Sequence, residues 1–483
     1  MKIHFLIPPA DSNGQKVFDR IFGCNYGFFT HHNVLFLSAA TLLQQQGYEV
    51  VVSDCFVEKI SLDQALARGG DIFVFYSVFL SRALDLKAAA QIRSRRRNVP
   101  VIFLGSDPNY YSDKYLTRKN YFLVRAEPEY SLLELVQKLS KKARDFSSVK
   151  GISWVKNNQV VHNPSRSFID HLNQLPIPNR LLYRKPLAYP NARFGQFPST
   201  TALFSRGCAY RCYYCFPNTL SYTRELDYKR RHRCKPPVRV RSAAKVIAEM
   251  KLIASQGFRS VSILDDQFLW DRKRTDQILA GIKDLGLEIS ILARCDRITD
   301  FKLAKAMRRA GIKHIAFGVE SFDQPILDYI KKDLDVKTIE KGISFCQKAG
   351  IEPEVNILIG SCPLETKKTI RETLSRVAAL KINIVHINVC TPFPGTEFAR
   401  IAKAKGWMTV PEYVPIDSSA QSLIAYPHLS DKQLVRAVKG FVLKHYFNPV
   451  YLFKRIRELR SARDLLAKIK AGLNEFNLLL IGK

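Results

Sequence analysis

"GCAYRCYYCFPN", residues 207–218, places Cys208, Cys212 and Cys215 within eight residues of one another. A structural zinc site normally takes four protein ligands. A disulfide framework wants an even number of cysteines in a small secreted domain. Three thiols without a close fourth instead suit a metal centre with one position kept open. The loop follows an apolar run, "STTALFS" (199–205), and opens an alternation of strand and helix patterns that reaches about residue 405.

The strand patterns of that alternation are "TALFS", "SVSIL", "EISILA", "HIAFGV", "EVNILIG" and "IVHINV". Each precedes a helical stretch, such as "SAAKVIAEMKLIASQG" after the first and "DFKLAKAMRRAG" after the third. Six such units predict an open, partial (β/α)6 barrel whose right-handed crossovers bring every strand's C-terminal end to one rim. The cysteine loop stands at the first exit, Asp265 and Asp266 at the second, Arg294 and Asp296 at the third, and Glu320 at the fourth. "GSCPLET" (360–366) and "TPFPGT" (391–396) follow the fifth and sixth strands. Barrel enzymes keep their chemistry at these exits. Any one of these residues alone reads equally well as a helix cap, but a thiol cluster with charged residues at three further exits does not.

Residues 1 to about 145 alternate in the same way, with strands "KIHFLI", "YEVVVSD", "DIFVFYSVF", "VPVIFLGS" and "YFLVRA". Continuous apolar strands belong to a parallel sheet covered on both faces. The fold class is therefore α/β: a Rossmann-like, doubly wound N-terminal sheet, the partial barrel, and a helical C-terminal region. Ligands of doubly wound sheets sit outside the carboxyl ends of the strands. No GxGxxG follows the first strand, so a nicotinamide or flavin dinucleotide is not expected. Residues 146–198, with "HNPSRS", "LPIPNR" and "KPLAYP", read as a linker with a small β element. The expected division is 1–145, 146–198, 199–405 for the barrel and 406–483 for a basic helical region.

A length of 483 residues predicts two or three domains, and 46% hydrophobic with 24% charged residues is ordinary for a globular chain. The net charge of +32 is not ordinary, and it implies attraction to polyanions: nucleic acid, an anionic membrane surface or acidic substrates. The excess gathers at "RSRRR" (93–97), at "YKRRHRCKPPVRVR" (228–241), and in 431–483, where twelve Lys/Arg face four Asp/Glu. There "LVRAVKGFVLKHYF" and "VYLFKRIRELRSARDLLAKIKAGL" space apolar residues by three and four among basic ones. Such helices either lie on a membrane surface or pack on the preceding domain. The N-terminus reads as a strand, not a signal peptide, and no apolar run approaches the ~18 residues of a membrane span. A reducing cytoplasm is therefore expected, where clustered cysteines are ligands. Cys55, Cys346 and Cys390 lie in apolar runs and read as core; a lone Cys24 or Cys362 is more often inert than catalytic.

CxxxCxxC with an aromatic before the last cysteine resembles the radical S-adenosylmethionine (SAM) superfamily. "ILDDQF" (263–268), "GVESF" (318–322) and "TPFPGTEF" (391–398), behind a Rossmann-like domain, look like its subgroup with an N-terminal cobalamin-binding domain. That subgroup includes the anaerobic magnesium-protoporphyrin ester cyclase type and various methyltransferases. The resemblance implies a [4Fe–4S] cluster held through three irons by Cys208, Cys212 and Cys215, with SAM on the fourth iron. It further implies an electron donor of flavodoxin or ferredoxin type, and cleavage of the sulfonium's C–S bond to a 5′-deoxyadenosyl radical or in support of methyl transfer. It places Tyr214 near the adenine, Asp265 and Asp266 on the amino group of SAM, and Arg294 opposite its carboxylate. Glu320 falls on the ribose hydroxyls or the amino group, and the strand from Asn356 to Gly360 along the adenine.

The chain departs from the family's pattern at "GSCPLET", where relatives commonly read GLPGET, and at "LGSDPNY" (104–110), where LGGPH is usual. It also lacks DxHxxG, the motif that brings a histidine to cobalt in other cobalamin proteins, as do many members of the subgroup. The function expected is methylation or C–C bond formation at unactivated carbons of a hydrophobic substrate: a lipid, isoprenoid or tetrapyrrole. The aromatic "IFGCNYGFF" (21–29) and the basic tail point the same way, toward a cytoplasmic protein in peripheral contact with the inner face of the membrane. Two alternatives stand beside it. A radical SAM enzyme acting on RNA, methylthiotransferase-like, agrees with the charge but lacks an RNA-binding module and the extra cluster cysteines. A zinc-containing nucleic-acid-binding protein would complete the site with Cys234 or His232, but has no need of a six-unit barrel.

Overall fold

Strands buried on both faces must be apolar at nearly every position, and the first sheet is built that way. Its strands are β1 (Lys2–Ile7), β2 (Glu49–Asp54), β3 (Ile72–Tyr76), β4 (Val101–Leu104) and β5 (Tyr121–Val124), followed by β6 (Ile152–Lys156) and β7 (Gln159–His162). All of these come from a computed structural model, which describes residues 1–9, 17, 20–22, 30–189, 191, 193–449 and 451–452. Cys24, most of the aromatic segment 21–29, and the amphipathic stretch from 450 apart from residues 451–452 lie outside the described residues.

The strand order is β2-β1-β3-β4-β5-β6-β7. The first five run parallel, Lys2 facing Glu49 on one side of β1 and Ile3 facing Ile72 on the other. The order reverses at β1, which makes the carboxyl ends of β1 and β3 the switch point of a doubly wound sheet. β6 and β7 add antiparallel, joined through Asn157 and Asn158, both at positive φ (51° and 61°), the backbone a two-residue hairpin turn demands. At the exits of β3 and β4 the backbones touch: Gly105 has φ 100°, and a Cβ there would lie 2.3 Å from the carbonyl oxygen of Ser77. The hydroxyls of Ser77 and Ser106 are buried beside this contact with no hydrogen-bond partner among the described residues.

The chain forms two compact units. One comprises 1–190, 200–209 and 217–245, the other 191–199, 210–216 and 246–483. In the first, the short antiparallel strands β9 (Ser205–Arg206) and β10 (Arg239–Val240) flank the helix Thr219–His232. Glu127 is buried against three guanidiniums there, those of Arg206, Arg224 and Arg239. Burial works against its charge, but these arginines hold the carboxyl below its ordinary range.

The second sheet runs β15-β14-β13-β12-β11-β8, with β8 at Ser199–Ala202, β11 at Ser260–Ile263, β12 at Glu288–Ala293, β13 at Ile312–Glu320, β14 at Glu352–Ile359 and β15 at Ile384–Val389. β11 to β15 pair in parallel, and helices such as Arg272–Ile282, Phe301–Arg309, Val336–Lys348 and Lys367–Ala379 connect them. Capping falls to Asp271, Asp300, Asp335 and Thr366, each accepting a first-turn N–H. Asp265, Asp266 and Glu320 stand closer to the strand ends and cap none of these helices. The described residues hold no helix long and apolar enough to cross a membrane.

Candidate active site

The cysteine loop leaves β9 through Gly207, at φ 93°. Cys208, Cys212 and Cys215 are in no disulfide, and each is half-buried. Among the described residues no three His, Cys, Asp or Glu side chains converge as a single ion needs. Thiolates that each hold a different iron of a four-iron cluster stand further apart than ligands of one ion, and three partly accessible thiols outside any disulfide match that donor set.

Three ties fix residues 210–216. The guanidinium of Arg211 donates to both carboxylate oxygens of Asp333 at 3.0 Å. The buried Tyr213 takes its backbone N–H to Ile330 O (3.3 Å), accepts from Phe398 N (2.9 Å), and donates its phenol hydroxyl to Ser361 O. Tyr214 meets Lys332, whose Nζ lies 3.3 Å from the phenol oxygen. Lys332 also donates to Glu320 Oε1 at 2.9 Å. Both partners of this ion pair are buried.

Glu320 ends β13 in an unusual conformation. Its φ is +69°, and the register with β14 slips between Gly318 and Glu320. Residues other than glycine rarely hold such backbone unless their surroundings impose it. Burial works against the charge of Lys332, yet Glu320 and then Cys212 more than offset it, and its pKa rises to about 12. Burial, the Glu320 carboxylate and the thiols of Cys212 and Cys215 push the Tyr214 phenol well up. These side chains therefore share one neighbourhood.

Arg294 leaves β12 and packs its guanidinium 3.8 Å above the Tyr210 ring. It donates to the carbonyls of Lys332 (2.7 Å) and Asp333 (2.6 Å) and to the Asp296 carboxylate. Four of its five N–H groups are thus used within the protein, clamping the 332–333 turn. Asp265 is fully buried with Arg274 as a charged neighbour, and Asp266 is half-buried. Asn356 donates to Phe317 O (3.3 Å). Gly360, at φ 70°, turns the chain out of β14, and the buried Glu365 carboxylate accepts from Gly360 N (2.8 Å), Ser361 N (2.6 Å) and the Ser361 hydroxyl (2.5 Å). Lys332, Tyr213 and Glu365 are additions to the residues the sequence singles out. Glu365 had a signal, lying within "GSCPLET"; Lys332 sits in a Lys-Lys pair after a short helix and had none.

The radical SAM superfamily model matches residues 203–377. The chain is 26% identical to an uncharacterized methyltransferase of Pyrococcus horikoshii over 95% of both chains. It is 24% identical to the hopanoid C-3 methylase of Methylococcus capsulatus over 74% of this chain and 66% of that one. It spans about half the length of an anaerobic magnesium-protoporphyrin IX monomethyl ester cyclase of Rubrivivax gelatinosus that it also matches. Among solved structures, the cobalamin-dependent SAM radical enzyme OxsB, with aqua-cobalamin and SAM bound, superposes with a TM-score of 0.71 at 15% identity, over 100% of this chain and 71% of that one. That likeness is one of fold. The three-cysteine loop, the barrel behind it and the family match agree: residues 203–377 form a radical SAM domain.

Proposed function

We propose that this chain is a cobalamin-dependent radical SAM enzyme that methylates, or forms C–C bonds at, unactivated carbons of a hydrophobic substrate. The observation that carries the reading is the cysteine loop, tied down by Arg211 and Tyr213, with the buried Lys332–Glu320 pair and the half-buried Tyr214 beside Cys212. Cys208, Cys212 and Cys215 would hold the [4Fe–4S] cluster. Bound there, the cluster supplies one electron to the sulfonium of SAM, delivered by a flavodoxin or ferredoxin type of donor. This chain's own residues orient SAM: Glu320 at the ribose hydroxyls or amino group, Asp266 at the amino group, and Tyr214 and the strand from Asn356 to Gly360 along the adenine. Asp265, also expected at the amino group, is buried with Arg274 as a charged neighbour. Arg294 has a scaffold's role in this reading, not that of carboxylate partner, because its donors already clamp residues 332 and 333.

For cobalamin the support is the strand order of the first sheet and the two buried hydroxyls, Ser77 and Ser106, at the carboxyl ends of β3 and β4, where doubly wound sheets bind ligands. Relatives named as a hopanoid methylase and a tetrapyrrole cyclase support a hydrophobic substrate. Peripheral contact with the inner face of a membrane is supported by the helix Asp431–Tyr446. Its surface carries Lys432, Arg436, Lys439 and Lys444 with the exposed Leu443, and Phe447 follows it. A groove of about 830 Å³ between this helix and residues 414–423 is lined by Val414, Ile416, Val435 and Leu443.

The test is anaerobic reconstitution followed by iron, sulfide and cobalt analysis. About four irons per chain, lost in Cys208→Ala, are expected, with stoichiometric cobalt once cobalamin is supplied. Zinc in place of iron would sink the reading; iron without cobalt would confine it to SAM chemistry alone.

A further inference from the structure

We infer that Lys332 is a positioning residue, holding the Glu320 carboxylate and the Tyr214 phenol in the one geometry that receives SAM. The inference rests on the assignment of Glu320 and Tyr214 to SAM made above. Three independent features show that this pair is built rather than incidental.

First, Lys332 is only 6% exposed, and a lysine is almost never so buried unless paired. Its ammonium bridges Glu320 Oε1 at 2.9 Å and the Tyr214 hydroxyl at 3.3 Å. Second, the strand makes room for the pair. Gly318 lies inside β13, and a Cβ there would come within 2.7 Å of Glu320 Oε1 and 2.9 Å of Lys332 Nζ. A glycine inside a strand often marks such a close approach. Third, both ends of the bridge are fastened. The positive φ and register slip at Glu320 aim its side chain, while Arg294 binds the carbonyl of Lys332 itself (2.7 Å).

An unpaired carboxylate on so strained a turn would swing between rotamers, and an unpaired phenol beside two thiolates would turn away from them. One ammonium shared by both removes that freedom before SAM arrives. Preorganisation of this kind appears as ligand affinity, since ordering has already been met in the fold. A lysine retained only to neutralise Glu320 would be dispensable once Glu320 is made neutral. A positioning lysine acting through Glu320 also becomes dispensable when Glu320 is replaced, but while Glu320 is present its loss weakens SAM binding, which the loss of a merely neutralising lysine would not do.

The experiment is a double-mutant cycle on the reconstituted full chain, using Glu320→Gln, Lys332→Met and both together. SAM affinity is read by equilibrium dialysis, and the SAM-induced change in the electron paramagnetic resonance spectrum of the reduced cluster is read alongside. Each single change is expected to weaken SAM binding about tenfold at unchanged iron content. The double variant should bind no more weakly than Glu320→Gln alone, and Lys332→Arg should recover most of the loss. Wild-type SAM affinity in Lys332→Met, or losses that simply multiply in the double variant, would overturn the inference. Should Lys332→Met leave Glu320 too destabilising to fold, the charge-neutral double variant set against Glu320→Gln and Lys332→Arg still decides it. Failure of the wild-type chain to assemble four irons would instead refute the family reading, and is seen before any variant is made.

Discussion

At the scale of single residues, chemistry here depends on atoms that are absent as much as on those present. Gly318 has no side chain, and its place is taken by the Glu320–Lys332 pair. Gly318→Ala must displace at least one of them. Because both are the ends of flexible side chains, the protein should fold at a cost of about 1–3 kcal/mol, as overpacking usually costs, seen as a lower melting temperature. SAM affinity should fall as in Lys332→Met. An alanine variant that melts lower but binds SAM normally would show that the pair tolerates displacement. How legible was this in the sequence? The cysteines and Glu320 could be read from their spacing and from their place after apolar strands. Lys332 could not, because a Lys-Lys pair beyond a short helix reads as a solvated face. Only the turn that Arg294 clamps carries the second lysine inward. The role expected of Arg294 shows the converse: a guanidinium at a strand exit has the right shape for a carboxylate, but the sequence cannot show that backbone carbonyls have taken it first.

At the scale of elements, every barrel strand quoted from the sequence was found, because an apolar run between turn residues is a local signal. What those strands say to one another was not legible, since cross-strand partners depend on register. The polar letters at their amino ends are the case in point. Glu288 of β12, His314 of β13, Glu352 and Glu354 of β14 and His386 of β15 meet inside the second unit with Arg193 and Lys313. His314 lies 3.2 Å from Glu288 and 3.5 Å from Glu352; His386 lies 3.4 Å from Glu354, which Arg193 meets at 2.7 Å. Burial opposes the charge of Glu354, but Arg193 and His386 hold its carboxyl below the ordinary value. Burial lowers the imidazole of His386, with Glu354 opposing and Arg193 assisting. The two signs agree. Below about pH 6.5 the unfolded chain takes up a proton at His386 that the fold resists. Further down, through the depressed range of Glu354, the stabilisation of that carboxylate is lost as well. The melting temperature should therefore fall steadily from pH 7 to pH 4, and His386→Gln should flatten the fall between pH 7 and 5. A variant whose melting curve keeps the wild-type pH dependence would remove His386 from the account.

For the whole molecule the governing quantity is the charge of +32, and its distribution decides what it is for. Six of the eleven Lys and Arg in the two basic runs nearer the middle of the chain pair with carboxylates. Lys229 and Lys235 pair with Glu225, Arg231 with Asp227, and Arg239 with Glu127. Arg95 pairs with Asp63, and Arg96 lies near Asp71. The helix Asp431–Tyr446 differs: no carboxylate among the described residues pairs with Lys432, Arg436, Lys439 or Lys444, and Leu443 and Phe447, 39% and 44% exposed, stand among them. Basic charge interleaved with exposed apolar side chains fits an anionic bilayer, which offers phosphates and hydrocarbon together. A nucleic acid would use the charge and leave the apolar side chains in water. Each basic side chain near an anionic surface adds close to a factor of five in binding, so replacing all four by glutamine should weaken sedimentation with phosphatidylglycerol vesicles by two to three orders of magnitude. Leu443→Asp should weaken it further, an effect that added salt should not reproduce. Equal binding to phosphatidylcholine vesicles would deny the charge its part. Loss of RNA retention in the glutamine variant, with vesicle binding intact, would assign the same surface to nucleic acid.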